Sequence, residues 1–169
     1  MKTLIIMRHA KACYGPTDHA RPLTDHGRRQ ARFVGGELSR IAGVIDHVLV
    51  SDATRTRQTL EALTSGGLRV KERSIEPSLY SAGGDDVVDL LRVVANESVV
   101  MVLGHEPTMS DVAYELWNGV GDAGFSSFPT AGAAIFTFDG EWADLAPRSL
   151  TLTRFIRPPR QARSEGNRG

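Results

Sequence analysis

Thr3-Leu4-Ile5-Ile6-Met7, followed at once by Arg8-His9-Ala10, sets the reading of the whole chain. An uncharged, apolar and β-branched run of this length reads as a buried strand. Polarity then switches abruptly to a guanidinium and an imidazole. Two later strands end at a similar switch. Val44 to Val50 reads as a strand that ends before Ser51, and Val99-Val100-Met101-Val102-Leu103 ends before Gly104-His105-Glu106-Pro107.

Helical patterns fall between these strands. A polar loop with Gly15, Pro16, Asp18 and Pro22 leads to Thr24, the expected N-cap of a helix with Ala31, Val34, Leu38 and Ile41 on one face and Gly43 at its end. Ser51 to Leu63 reads as a loop turning into a helix closed by Gly66-Gly67. Asp85 to Ala95 repeats the helical spacing with Val87, Val88, Leu91 and Val94. Pro107 suits a helix first turn, with the helix running to about Trp117. Two further strands are expected, Ala131 to Phe138 and Leu150 to Ile156. Uniformly apolar strands alternating with helices imply a mostly parallel sheet covered on both faces. The expected fold is a single-domain three-layer α/β/α sandwich over residues 1–156. Residues 157–169, rich in Arg and Pro, are expected to form a disordered basic tail, and the glycines and serines from Gly119 to Ser127 a flexible loop.

Composition narrows the function classes. The chain has 169 residues, is 41% hydrophobic and 24% charged, and has a formal net charge of zero. Nothing global points to nucleic acid or a membrane surface. Only Lys2, Lys11 and Lys71 of the 20 basic residues are lysines. The rest are arginines, whose planar forks match phosphate oxygens, although codon bias explains such a composition as well. Cys13 is the sole cysteine, so no intramolecular disulfide or thiolate metal cluster is expected. Thr3–Met7 is too short for a signal-peptide core, and no run approaches the ~18 apolar residues of a membrane span. A cytoplasmic monomer is expected.

The chemistry concentrates where the strands end. Arg8-His9, Ser51 to Arg57, and Gly104-His105-Glu106-Pro107 each follow a strand, and ligands of open α/β sheets bind at the carboxyl ends of strands. Arg8 and a second arginine, Arg55 or Arg57, offer charge-assisted forks to an anion. His105 precedes a helix start, where free N–H groups also favour anions. His19, His26 and His47 read as hydrogen-bonded structural residues. A zinc site is the competing reading of paired histidines. It fits poorly, because no third ligand stands at suitable spacing and the arginines would repel a dication. No cofactor is expected.

Taken together, Leu4-Ile5-Ile6-Met7-Arg8-His9-Ala10, Arg21-Pro22-Leu23-Thr24 with Gly27 and Gln30, Ser51 with Arg55, Gln58 and Thr59, and Leu103-Gly104-His105-Glu106-Pro107 resemble the histidine phosphatase superfamily, which includes the phosphoglycerate mutases. The short chain, Arg-His-Ala in place of Arg-His-Gly, and the lack of a large insert resemble its compact SixA-type branch. The resemblance spans about Lys2 to Ile156. It implies that His9 is the nucleophile and that Arg8, Arg55 and His105 hold the phosphoryl oxygens, with Arg21 a further substrate-binding candidate. Family spacing selects Arg55 over Arg57. It also implies a proton donor on a loop after the second-strand region, for which Glu76 is the positional match and Glu106 the rival.

A phosphate ester must expel an alkoxide and gains much from a positioned acid. A phosphohistidine leaves as neutral imidazole once its far nitrogen is protonated, so an ill-defined acid suits that substrate. The expected activity is therefore a metal-independent phosphatase for phosphohistidine in a protein. The alternatives are a phosphatase of small sugar or nucleotide phosphates and, in another class, a phosphate-binding module without turnover.

Overall fold

The computed structural model describes residues 1–121 and 127–161. The chain order is β1 (Lys2–Arg8), α1 (Asp25–Ala42), β2 (Ile45–Val50), α2 (Thr54–Ser65), β3 (Val70–Ile75), α3 (Gly84–Val94), β4 (Val99–Gly104), α4 (Thr108–Leu116), β5 (Ala133–Phe138) and β6 (Thr151–Ile156). The strands make one six-stranded sheet, ordered β3-β2-β4-β1-β5-β6. The first four in that order pair in parallel, while β5 runs antiparallel to β1 and β6 antiparallel to β5. The expected α/β/α sandwich with a mostly parallel sheet is the observed fold.

β1 shows why an uninterrupted apolar strand demands two covering layers. Leu4 and Ile6 point into a core formed with Val87 and Leu91 of α3 and Val112 and Leu116 of α4. Ile5 and Met7 point the other way, among Val34 and Leu38 of α1 and Leu60 and Leu63 of α2. All four β1 side chains are fully buried, each contributing roughly 1.5–3 kcal/mol. Helices α1 and α2 touch at backbone distance. A Cβ on Gly35 would stand 2.2 Å from the Leu63 carbonyl oxygen, and one on Gly66 would stand 2.1 Å from that of Arg32.

The boundaries follow local chemistry. Thr24 has extended backbone and its hydroxyl accepts the Gly27 N–H at 2.9 Å, an N-cap as expected. Gly43 closes α1 at φ 72°, a conformation that favours glycine. Pro107 stands immediately before α4 rather than within its first turn. β3 lies in a stretch for which no strand was expected. Its Lys71, Glu72 and Arg73 are exposed, so it offers no apolar face to read, and main-chain pairing to β2 at the sheet edge defines it. Residues 122–126 and 162–169 lie outside the described residues, so the expected loop and tail are described only in part. Among the described residues no helix is long and apolar enough to cross a membrane.

Register decides where the chemistry goes. Arg8 is level with Gly104 across β1 and β4, and Val50 is level with Leu103 across β2 and β4. The residues that follow these three strands therefore emerge side by side at one edge of the sheet.

Candidate active site

His9 is fixed from both sides by its own main chain. Its N–H donates to the Gly104 carbonyl at 3.0 Å and its carbonyl accepts the Ala131 N–H at 2.9 Å. The ring Nδ1 lies 2.7 Å from the Ala10 carbonyl oxygen. A carbonyl only accepts, so Nδ1 carries the proton and Nε2 keeps its lone pair. A histidine nucleophile requires this tautomer. The Ala10 N–H in turn donates to Thr59 Oγ1 at 3.0 Å, and that hydroxyl donates to the Arg55 carbonyl at 2.7 Å. Thr59 thus couples the nucleophile segment to α2.

His105 has the complementary arrangement. Its Nε2 lies 2.8 Å from Ser51 Oγ, which also accepts the Ala53 N–H at 3.3 Å. Among the described residues the serine hydroxyl hydrogen has no acceptor other than Nε2, which assigns the imidazole proton to Nδ1 as a donor. The two imidazoles lie with centroids 5.4 Å apart, tilted by 56°.

Arg8 and Arg55 bring the guanidinium groups. Arg8 donates from one terminal nitrogen to the Phe128 carbonyl at 2.9 Å. Arg55 sits in the first turn of α2, which has no acidic residue, and is 6% exposed. Arg57, two positions on, is exposed, in keeping with the choice of Arg55. Among the described residues, Arg8 Nε, Arg55 Nε and His105 Nδ1 are buried and have no hydrogen-bond partner. An unpaired buried donor costs about 1–3 kcal/mol. Three such donors, on side chains delivered by three neighbouring strand ends, suit an anion rich in acceptor oxygens.

Burial sets the protonation states. Desolvation lowers His9 to about 3, helped by the charges of His105, Arg55 and Arg8 and opposed by the Ala10 carbonyl. Desolvation and then Arg55 lower His105 to about 4. Desolvation also lowers Arg8, with Glu106 acting against it. Both histidines are neutral at pH 7. An unfolded histidine takes a proton near pH 6.5 while these resist until far lower, so the unfolded state binds more protons in between. Stability is then lost as pH falls below 6.5. At pH 5 the loss is limited to about 2 kcal/mol per histidine. Urea unfolding at pH 7 and pH 5 should show it, and a H9Q/H105Q double variant should lose less. Equal pH dependence in both proteins would contradict burial as the cause.

The remaining expected residues fall around this centre. Arg21 donates to the Cys13 carbonyl at 3.0 Å and to Asp18 Oδ1 at 3.1 Å, bracing the loop from Lys11 to Leu23. Glu106 accepts the Ser110 N–H at 2.9 Å and the Ser110 hydroxyl, which engages its carboxylate at the start of α4. Glu76 directly follows β3, and among the described residues its side chain makes no hydrogen bond or ion pair. His47 bonds Ser74 Oγ at 2.7 Å, a structural role as read from the sequence, and His26 lies on α1. His19 is at the rim instead, 3.0 Å from Asp52 Oδ1 and edge-on to Tyr80.

Two residues of this centre gave no signal in the sequence. Asp18 accepts Arg55 through its carboxylate at 3.1 Å and through its main-chain carbonyl at 2.8 Å. Tyr80, on a 3-10 turn spanning Pro77–Tyr80, donates to the same carboxylate and packs edge-on to His105 at 5.5 Å. The Arg21-to-Gln30 motif supports this loop. Gln30 Oε1 accepts the Lys11 N–H at 3.0 Å, and a Cβ on Gly27 would fall 2.1 Å from the Lys11 carbonyl oxygen. From α2, Gln58 Oε1 accepts the Leu23 N–H at 2.8 Å.

Comparison with known proteins gives a consistent answer. The model of the histidine phosphatase superfamily (branch 1) matches residues 4–76. An uncharacterised Mycobacterium tuberculosis protein is 39% identical over 160 residues, covering 90% of this chain and 99% of the relative. Phosphohistidine phosphatase SixA of Escherichia coli is 32% identical over 120 residues, covering 69% and 74%. Among solved structures, a SixA-type protein from Nakamurella multipartitia superposes with a TM-score of 0.79 at 33% identity, covering 93% and 96%. The protein histidine phosphatase SixA complexed with tungstate superposes at 0.75 and 28%, covering 92% and 97%.

Proposed function

Because the chain belongs to the histidine phosphatase superfamily, as a phosphatase of its SixA type, we propose that it works through a phosphorylated His9 and takes phosphohistidine on a protein as substrate. The observation that carries the mechanism is the set of three unpartnered buried donors beside a histidine whose Nε2 is unprotonated. A phosphoryl group would fill that set, with Arg8, Arg55 and His105 on its oxygens and His9 Nε2 in line with the leaving group. Catalysis of phosphoryl transfer is mostly such positioning and charge stabilisation. The His9–phosphate bond then passes to water, which divides one difficult displacement into two easier ones. Binding of tungstate by a SixA relative fits a tetrahedral oxyanion pocket of this kind.

Two considerations favour phosphohistidine. A relative 32% identical to this chain is itself a phosphohistidine phosphatase. In addition, Glu106 is engaged at α4 and Glu76 makes no bond to the site, so neither offers the fixed proton donor that an alkoxide needs. The second reading is hydrolysis of small phosphate esters with Glu76 as acid. It draws on the position of Glu76 just before the turn that carries Tyr80 to His105. A phosphohistidine-bearing protein assayed against a panel of sugar and nucleotide phosphates separates the two. The expected result is a kcat/KM at least about 10²-fold higher for the phosphohistidine protein, the lower range of what positioned acid catalysis supplies. Ester turnover ahead by that margin would sink the substrate assignment while leaving the phosphoenzyme intact.

A further inference from the structure

Asp18 stands where a carboxylate looks out of place. It lies at the mouth of an anion site, on the arginine expected to hold the anion. Its Oδ2 accepts Arg55 at 3.1 Å and also the Tyr80 hydroxyl, and its Oδ1 accepts Arg21 at 3.1 Å. Tyr80 is itself fixed, edge-on to both His105 and His19 and beside the Arg55 guanidinium at 5.9 Å. The Asp18 side chain is nevertheless 53% exposed, so part of it faces whatever enters. The bonds from Tyr80 and Arg21, ahead of that from Arg55, hold the carboxyl well below the usual carboxylate range. The group is a permanent anion at working pH and has no proton to give.

We propose that Asp18 is a specificity-determining residue that selects a leaving imidazole over a leaving alkoxide, by accepting the N–H of the far ring nitrogen of a substrate phosphohistidine. This rests on the phosphohistidine reading above. In the step concerned, His9 Nε2 bonds to phosphorus and the substrate P–N bond breaks. Its electron pair returns to the ring nitrogen that carried phosphorus, and the proton already on the far nitrogen stays there. A neutral imidazole departs, and the enzyme supplies no proton. A carboxylate within reach of that N–H favours the protonated ring that this departure needs, since an opposite charge close by stabilises the charged form. The same carboxylate repels a leaving oxygen that gathers negative charge, and it cannot protonate it. Selection thus arises as much from what Asp18 rejects as from what it accepts.

The groups facing Asp18 are Arg21 on Oδ1 and Arg55 and Tyr80 on Oδ2; an asparagine keeps one oxygen for Arg55 and Tyr80, gives up the Arg21 bond and removes the charge. The test is Asp18→Asn in the full chain, assayed on a phosphohistidine-bearing protein and on p-nitrophenyl phosphate across pH 5.5 to 8.5. The expected loss of kcat/KM on phosphohistidine is about 10- to 100-fold, the range of one hydrogen bond to a charged group. It should be largest at high pH, where solution no longer keeps the substrate ring protonated. Ester turnover should rise by a few-fold, so the ratio of the two substrates falls at least tenfold. Asp18→Ala should move the ratio in the same direction. Equal losses on both substrates would mean that Asp18 only positions Arg55, and would overturn the proposal. So would a wild-type ratio in either variant. Failure of the underlying reading has a different signature, namely wild-type enzyme that does not turn over phosphohistidine at all.

Discussion

His9→Ala should lower turnover by on the order of 10⁴- to 10⁶-fold, the scale on which nucleophile deletions act in other covalent enzymes. Wild-type protein mixed with substrate and quenched without acid should carry an acid-labile phosphate on His9, and the variant should carry none. The size of the effect follows from the absence of a substitute. His105 is the other imidazole in the pocket, but its Nε2 is held by Ser51 and its Nδ1 is a donor, so neither nitrogen offers a lone pair. A water molecule in the space left by the ring would have to attack phosphorus directly, without the pre-positioning that a covalent step provides. The loss is also cleanly chemical. Among the described residues the His9 side chain hydrogen-bonds only to the adjacent Ala10 carbonyl, whereas its backbone bonds to Gly104 and Ala131 survive the substitution. The variant should therefore keep its fold, which circular dichroism would verify. Turnover by the wild type with no phosphoenzyme at any quench time would refute the nucleophile.

The residues that were legible in advance share a physical property. β1 and β4 are buried on both faces, so their apolar runs had to be continuous, and a continuous run marks its own end; β2, interrupted by Asp46 and His47, ends in the same way with Val48-Leu49-Val50. Arg8, His9 and His105 follow directly from that. Arg55 needed the family spacing to be separated from Arg57, and the structure shows the difference as burial against exposure. β3 escaped notice because an edge strand with Lys71, Glu72 and Arg73 exposed has no periodic apolar face. Asp18 and Tyr80 escaped for another reason. They reach the centre from a loop and a single 3-10 turn, where placement depends on long-range hydrogen bonds that leave no local pattern. The signals that existed were indirect. Gln30, Gln58 and Thr59 belong to the family-like motifs, and the structure shows them fastening the loop and nucleophile segment to α1 and α2. Motif positions that touch no ligand can thus report the scaffold that aims the ones expected to.

That scaffold makes Arg8 the position where a conservative change should do most damage. Arg8→Lys keeps the charge, yet kcat/KM should fall by about 10²- to 10³-fold, comparable to loss of one preorganised donor at a charged transition state. Arg8 ends β1 in register with Gly104, so its side chain starts from a rigid point. One terminal nitrogen is already committed to the Phe128 carbonyl at 2.9 Å, and the buried Nε has no partner. A guanidinium satisfies the carbonyl with one nitrogen while presenting another, in the same plane, to a phosphoryl oxygen. An ammonium is a single point that cannot hold both directions at the same geometry. Arg8→Ala should lose more, since it removes the charge as well as the fork. The decrease should fall mainly on the rate of phosphoenzyme formation measured in a single turnover, because the oxygens gather charge as the phosphoryl group moves. A lysine variant within about threefold of wild type would show that charge alone suffices at this position, and the fork geometry would then have no part in the chemistry.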